Sequence, residues 1–91
     1  MVTVYGLPIC PHTAKALEVL KEAGVAVDFK NFAADTQNLK DFLKLRDDSA
    51  YRAIFDPVRA AGGIGIPLFV FSDGTVTKDL DEVLKKASPQ G

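Results

Sequence analysis

A mixed four-stranded β-sheet covered by helices, an α/β fold, is the class this 91-residue sequence predicts. The chain opens with a β-branched run, a helical apolar stripe and a second strand-like run, which together read as a strand–helix–strand unit. It closes with two short β-prone runs joined by Ser72-Asp73-Gly74, a hairpin signal, followed by an amphipathic segment. A crossover unit supplies parallel strands and a hairpin antiparallel ones, so a sheet built from both is mixed, with helices burying its faces.

Met1-Val2-Thr3-Val4-Tyr5 alternates and stops at Gly6, as a short strand would. From Pro11 to Ala23, the residues Ala16, Leu17, Val19, Leu20 and Ala23 form one helical stripe, and Gly24 suits a left-handed C-terminal position. Pro11 suits the first turn, where its missing N–H has no partner to lose. Val25 to Phe32 reads as the second strand. Thr36 is positioned to cap a helix bearing Leu39, Phe42, Leu43 and Leu45 and closing near Arg46-Asp47-Asp48. Between Ser49 and Ala61 the expectation is a turn or short helix, because Pro57 fits poorly inside a helix. Asp56 then caps, with Pro57 as first residue, a brief helix ending at Gly62-Gly63. Ile66-Pro67-Leu68-Phe69-Val70-Phe71 is a nearly continuous apolar run, the pattern of a strand covered on both faces. Thr75-Val76-Thr77 returns from the hairpin, and Asp79 or Asp81 caps a helix carrying Leu80, Val83 and Leu84. The expected organisation is one domain over 1–87, with 88–91 a frayed tail.

Composition narrows the function. With 47% apolar and 25% charged residues the chain is globular in character, and at a net charge of −1 it has no basic field to attract nucleic acid or an anionic membrane. Its apolar runs fall short of a membrane span and its first residues lack a signal-peptide pattern, so a cytoplasmic location is expected. A single cysteine forbids an internal disulfide, and a single histidine removes most single-chain zinc sites. No metal and no tightly bound cofactor are expected.

The stretch Leu7-Pro8-Ile9-Cys10-Pro11-His12-Thr13-Ala14 concentrates the chemistry, since it holds the chain's one cysteine and one histidine. Cys10 stands just past the carboxyl end of the first strand, where the first helix begins. In sheets of this class ligands gather at the carboxyl ends of parallel strands.

In its element order, over nearly the whole length, the chain resembles a small glutaredoxin of the thioredoxin-fold superfamily. Cys10-Pro11-His12-Thr13 lies where that family keeps a Cys-x-x-Cys or Cys-x-x-Ser motif. Gly65-Ile66-Pro67 lies where it has a threonine-valine-proline with a cis proline, and residues 72–87 resemble its closing hairpin and helix. The resemblance implies a thioredoxin-like fold, a cis Pro67 facing Cys10, and an Ile66 main chain that pairs with a bound thiol peptide as an added strand. It also implies that Pro11, Ile66, Pro67, Lys78 and Asp79 bind substrate or glutathione.

Two local features favour a thiolate at Cys10: the free N–H groups and partial positive charge of a helix N-terminus, and a protonated His12 two residues on. A fall in pKa from about 8.5 to about 6 raises the thiolate fraction roughly thirtyfold but weakens each thiolate roughly thirteenfold, so attack gains only about twofold. The better leaving group is the larger consequence, and it favours turnover of a mixed disulfide over its storage. Thr13 stands where a resolving cysteine would be. Its hydroxyl either donates to the Cys10 sulfur or faces solvent. His12 is alternatively an exposed residue without influence, and Cys10 a buried inert hydrophobe.

The implied function is a thiol–disulfide oxidoreductase of monothiol type, with Cys10, His12 and Thr13 as catalytic residues. Glutathione or another low-molecular-weight thiol acts as co-substrate, and the partner is a disulfide-containing protein or a small-molecule thiol. A monomer is expected. Departures from the family keep alternatives open. No lysine precedes Cys10, and Thr77-Lys78-Asp79 replaces a diglycine. The alternatives are a non-catalytic peptide- or protein-binding module and a dimer bridged at Cys10 by a disulfide or an iron–sulfur cluster. The segment 47–61 is longer than a compact member needs and is a candidate wall for a different binding site.

Overall fold

The computed structural model of the chain describes residues 1–86; the expected frayed tail at 88–91 lies outside them. The elements run β1 (Val2–Gly6), α1 (Pro11–Glu22), β2 (Val27–Asn31), α2 (Thr36–Asp47), a 3-10 turn (Ser49–Tyr51), α3 (Arg52–Ala60), β3 (Leu68–Val70), β4 (Val76–Thr77) and α4 (Leu80–Lys86). The strand order is β2-β1-β3-β4. β1 pairs parallel with β2 and antiparallel with β3, which pairs antiparallel with β4. This mixed sheet with helices over it is the thioredoxin-like fold.

Alternation in the strands divides the core in two. Val2, Val4, Phe69 and Phe71 meet Ala16 and Leu20 of α1 and Val83 of α4. Leu68 joins Phe42 of α2 and Phe55 of α3 in the second cluster, with Tyr5, Phe32 and Ile54 packed against it. There the Phe42 and Phe55 rings meet edge to face at 6.0 Å, and Phe32 lies 5.2 Å from Phe42, separations at which aromatic pairs attract beyond their area.

Three expectations are corrected. Asp35, not Thr36, caps α2: its Oδ1 accepts from the Gln37 N–H at 2.8 Å, and Thr36 is the first helical residue. Pro57 lies inside α3 rather than opening a helix behind Asp56. The helix tolerates it on its exposed face, where both Pro57 and Ala53, the residue whose carbonyl loses its donor, lie, while Phe55 on the other face is fully buried. The apolar run at 66–71 contributes only Leu68–Val70 to the sheet. Ile66-Pro67 is a cis peptide leading into that strand.

The hairpin forms as its sequence indicates. Phe71 N–H donates to Thr75 O and Gly74 N–H to Phe71 O, each at 2.9 Å, with Gly74 at φ 91°. Asp79 then caps α4, its Oδ1 accepting from the Asp81 N–H at 2.9 Å.

The segment 61–65 has no regular structure and is fastened from the side. Arg46 Nη2 donates to the Gly63 carbonyl at 3.3 Å, and Arg59 Nη2 donates to the Arg46 carbonyl. Gly65 takes φ 102° with its Cα against the Phe55 ring, a conformation and a clearance that only glycine offers.

Candidate functional site

Cys10 is the N-cap residue of α1, in extended conformation at φ −77° and ψ 121°. A turn delivers it there, with Cys10 N–H donating to Leu7 O at 3.0 Å, and Ala14 N–H returns to Cys10 O at 2.9 Å to start the helix. Pro11 at the first helical position has no N–H, so the next two main-chain donors, those of His12 and Thr13, are the ones beside the thiol.

Those donors set the electrostatics. The Thr13 main-chain N–H is the largest influence holding the Cys10 thiol below its ordinary value; partial burial opposes it, and the Thr13 hydroxyl and the His12 main-chain N–H add to it. The thiol makes no formed capping hydrogen bond, so the effect is one of N–H dipoles directed at an incipient anion. The influence of His12 on the sulfur comes through its main chain, while its side chain is exposed.

Thr13 matches neither of the two orientations expected for it. It is fully buried, not solvent-facing, and its Oγ1 has no hydrogen-bond partner. The hydroxyl favours the Cys10 thiolate without making a formed hydrogen bond. What fixes Thr13 is packing on Gly6 at the end of β1: a Cβ at Gly6 would stand 2.6 Å from Thr13 Oγ1 and 2.8 Å from Cγ2. The residue in the resolving position is thus the contact that seats the start of α1 on the sheet.

Cys10 is partly exposed and opens into a cavity of about 550 Å³. Leu7, Ile9, Val58 and Ile64 line it together with Ile66 and Lys78. The segment 47–61 thus contributes a wall through Val58, and the glycine-rich stretch after it supplies the rest. A second cavity, about 280 Å³, shares His12, Ile66 and Lys78 and adds Lys15, Pro67 and Leu80. Pro67 is therefore beside His12, in the neighbouring cavity rather than in the one that holds Cys10. Asp79 is exposed, lines neither cavity and uses its carboxylate on α4. Ile9, Ile64 and Lys15 are site residues that sequence reasoning missed. Lys15 follows His12 by one helical turn, the one signal that pointed to it. A further hollow of about 320 Å³ near Met1 and Phe71 contains no cysteine or histidine, and its charges, Lys86 and Asp73, pair with each other at 2.8 Å.

With this geometry in hand, comparison with known proteins gives one relative to consider. An uncharacterized protein of Haemophilus influenzae (strain Rd) is 38% identical over 74 residues, spanning 81% of this chain and 83% of that protein. The chain belongs to that protein's family. No family model matches the chain, and no solved structure matches it. Among the described residues, no group of three or more His, Cys, Asp or Glu side chains is placed to hold a metal, and no helix is long and apolar enough to cross a membrane. A thioredoxin-like fold with one accessible thiol at the head of its first helix is the frame of a thiol-based redox or binding module.

Proposed function

We propose that the chain is a glutaredoxin-type thiol–disulfide oxidoreductase working by a monothiol mechanism. The observation that carries this reading is the accessible Cys10 thiol, held acidic by the N–H groups of Thr13 and His12 at the start of α1. The Cys10 thiolate attacks one sulfur of a disulfide RSSR, forming Cys10–S–S–R while the broken bond's electron pair leaves as RS⁻. An external thiolate, glutathione or another small thiol, then attacks the R sulfur, and the lowered basicity of Cys10 makes it the ready leaving group. Ile66 and Pro67 dock the disulfide partner along the start of β3, and Lys78 offers a charge to it. Cytoplasmic thiols complete the cycle, and the active species is a monomer.

Intact-mass spectrometry after incubation with oxidised glutathione, followed by turnover of hydroxyethyl disulfide with reduced glutathione, tests the proposal. An adduct on Cys10 that clears with added thiol, together with turnover lost in Cys10→Ser, is expected. No adduct contradicts the reading. The apolar cavity favours a second reading, a peptide-binding module without turnover: an adduct that persists and partner binding unchanged in Cys10→Ser would support it.

A further inference from the structure

Among the described residues four large apolar side chains stand exposed, and two of them, Ile9 and Ile64, line the cavity that holds Cys10. Ile9 is 86% exposed and Ile64 52%. Single exposed apolar residues are ordinary on a surface, but a group of them around a reactive side chain marks a place of contact. Leu7, Val58 and Ile66 extend the apolar lining. Its polar side chains besides Cys10, those of His12 and Lys78, also line the neighbouring cavity, whereas Ile9 and Ile64 belong to this one. The placement of Ile64 is fixed at both flanking glycines. Gly63 N–H donates to Val58 O at 2.8 Å and its carbonyl accepts from Arg46 Nη2 at 3.3 Å, while Gly65 takes φ 102° against the Phe55 ring. Arg46 is itself tied to α3, because Arg59 Nη2 donates to the Arg46 carbonyl. The fold thus holds an isoleucine in water beside the thiol, a surface that gains only when something apolar covers it.

We infer that Ile9 and Ile64 are specificity-determining residues, and that they select peptide disulfides in which an apolar side chain adjoins the cysteine transferred to Cys10. This rests on the exchange reading above. When the Cys10 thiolate displaces RS⁻ from RSSR, the sulfur of R is bonded to Cys10 and the groups beside it in R enter the cavity. An apolar group covers Ile9 and Ile64 and removes both surfaces from water. A hydroxyl or a charge in the same place gives up its own water against aliphatic walls. The cavity, about 550 Å³, lies within the range of about 300–1,000 Å³ that accepts whole organic ligands, so it admits a neighbouring side chain as well as the bonded cysteine. Arg46 lines neither cavity. It is a positioning residue, acting on Ile64 through the Gly63 carbonyl.

A polarity series tests the selection. Adduct formation on Cys10 is followed by intact mass with the symmetric disulfides of three end-capped, uncharged dipeptides: leucyl-cysteine, alanyl-cysteine and seryl-cysteine. Each rate is divided by that of N-acetylcysteine with the same disulfide. The expected order is leucine, alanine, serine, with the first favoured over the last by about threefold or more. An open cavity falls short of the about 10- to 200-fold that one methylene commands in a closed pocket. Ile9→Ser and Ile64→Ser each lower the ratio about twofold or more, as less apolar area is covered. Ile9 is exposed enough that its replacement leaves the core untouched, so that variant decides the matter even if Ile64→Ser fails to fold. Arg46→Met, without a donor for Gly63, also lowers the ratio, and Arg46→Lys retains more of it; a ratio unchanged in Arg46→Met removes the positioning role. Equal normalised rates, or a leucine preference that the isoleucine variants keep, would overturn the inference while leaving the exchange reading intact. If no disulfide gives an adduct, exchange itself fails. The apolar surface is then decided by titrating Cys10→Ser with the unreactive capped thioether dipeptide leucyl-methionine: NMR shifts confined to Ile9, Val58 and Ile64 support it, and none there, or equal shifts at all exposed methyl groups, overturns it.

Discussion

Gly6→Ala probes the contact that seats the helix bearing the thiol. The added Cβ would sit 2.6 Å from Thr13 Oγ1, 2.8 Å from Cγ2 and 3.3 Å from Cβ, all inside normal contact distance. Neither side can easily retreat. Gly6 is paired to β2, with the Phe32 N–H donating to its carbonyl at 3.0 Å, and Thr13 is fully buried in the first turn of α1. Overpacking of this kind costs about 1–3 kcal/mol. At about 4–8 °C per kcal/mol for a domain this size, Tm should fall by roughly 5–20 °C. Thr13→Ala removes the two closest atoms, so the double variant should regain most of the loss, a strong non-additivity expected of residues in contact. Thermal unfolding by circular dichroism of the four proteins measures this. An unchanged Tm in Gly6→Ala, or losses that simply add, would refute the packing argument. The thiol should follow, since an α1 start pushed off β1 carries the His12 and Thr13 donors with it: Cys10 loses acidity in Gly6→Ala and recovers it in the double variant.

Gly65→Ala should cost at least about 2 kcal/mol in chemical denaturation, because alanine is strained at φ 102° and its Cβ would lie 2.9 Å from the Phe55 ring. A loss near zero would show that this wall of the Cys10 cavity is not fixed by glycine. Phe42→Ala empties the centre of the second cluster and should cost about 3–5 kcal/mol, with Phe42→Leu losing much less; similar losses would argue against the packing described. The acidity of Cys10 also links to stability. A thiol whose pKa is lower folded than unfolded adds stability that is fully present above the unfolded value and lost as pH falls through the folded one. The stability of the wild type relative to Cys10→Ser, from denaturant midpoints, should therefore rise with pH across that window, and a flat or falling difference would contradict it.

The fold was legible where local rules and tertiary packing agree. β1, α1, the Asp73-Gly74 hairpin and α4 follow from alternation, helical spacing and capping residues close in sequence. Pro57 defeated the local rule because the cost of a proline depends on where its lost bond faces, and burial of Phe55 across the helix decided the outcome. Asp35 and Thr36 are both good caps, and the sequence has no means to rank adjacent ones. At the site, the placement of Cys10 beside free N–H groups was readable from a strand end, a proline and a helical stripe. The orientation of Thr13 was not, since it depends on the empty face of Gly6 across the sheet. Ile9 and Ile64, far apart in sequence, face one cavity only once the stretch after α3 is folded against the β1–α1 turn. The cis bond at Pro67 came from the family resemblance and from nothing in the residues themselves.

Cys10 is the chain's one cysteine, so its titration can be read without interference. The rate of alkylation by iodoacetamide, measured against pH beside N-acetylcysteine, tests most directly whether the peptide N–H groups at the start of α1 hold this sulfur as an anion. A midpoint clearly below that of the free thiol is expected. A midpoint equal to or above it would contradict the account.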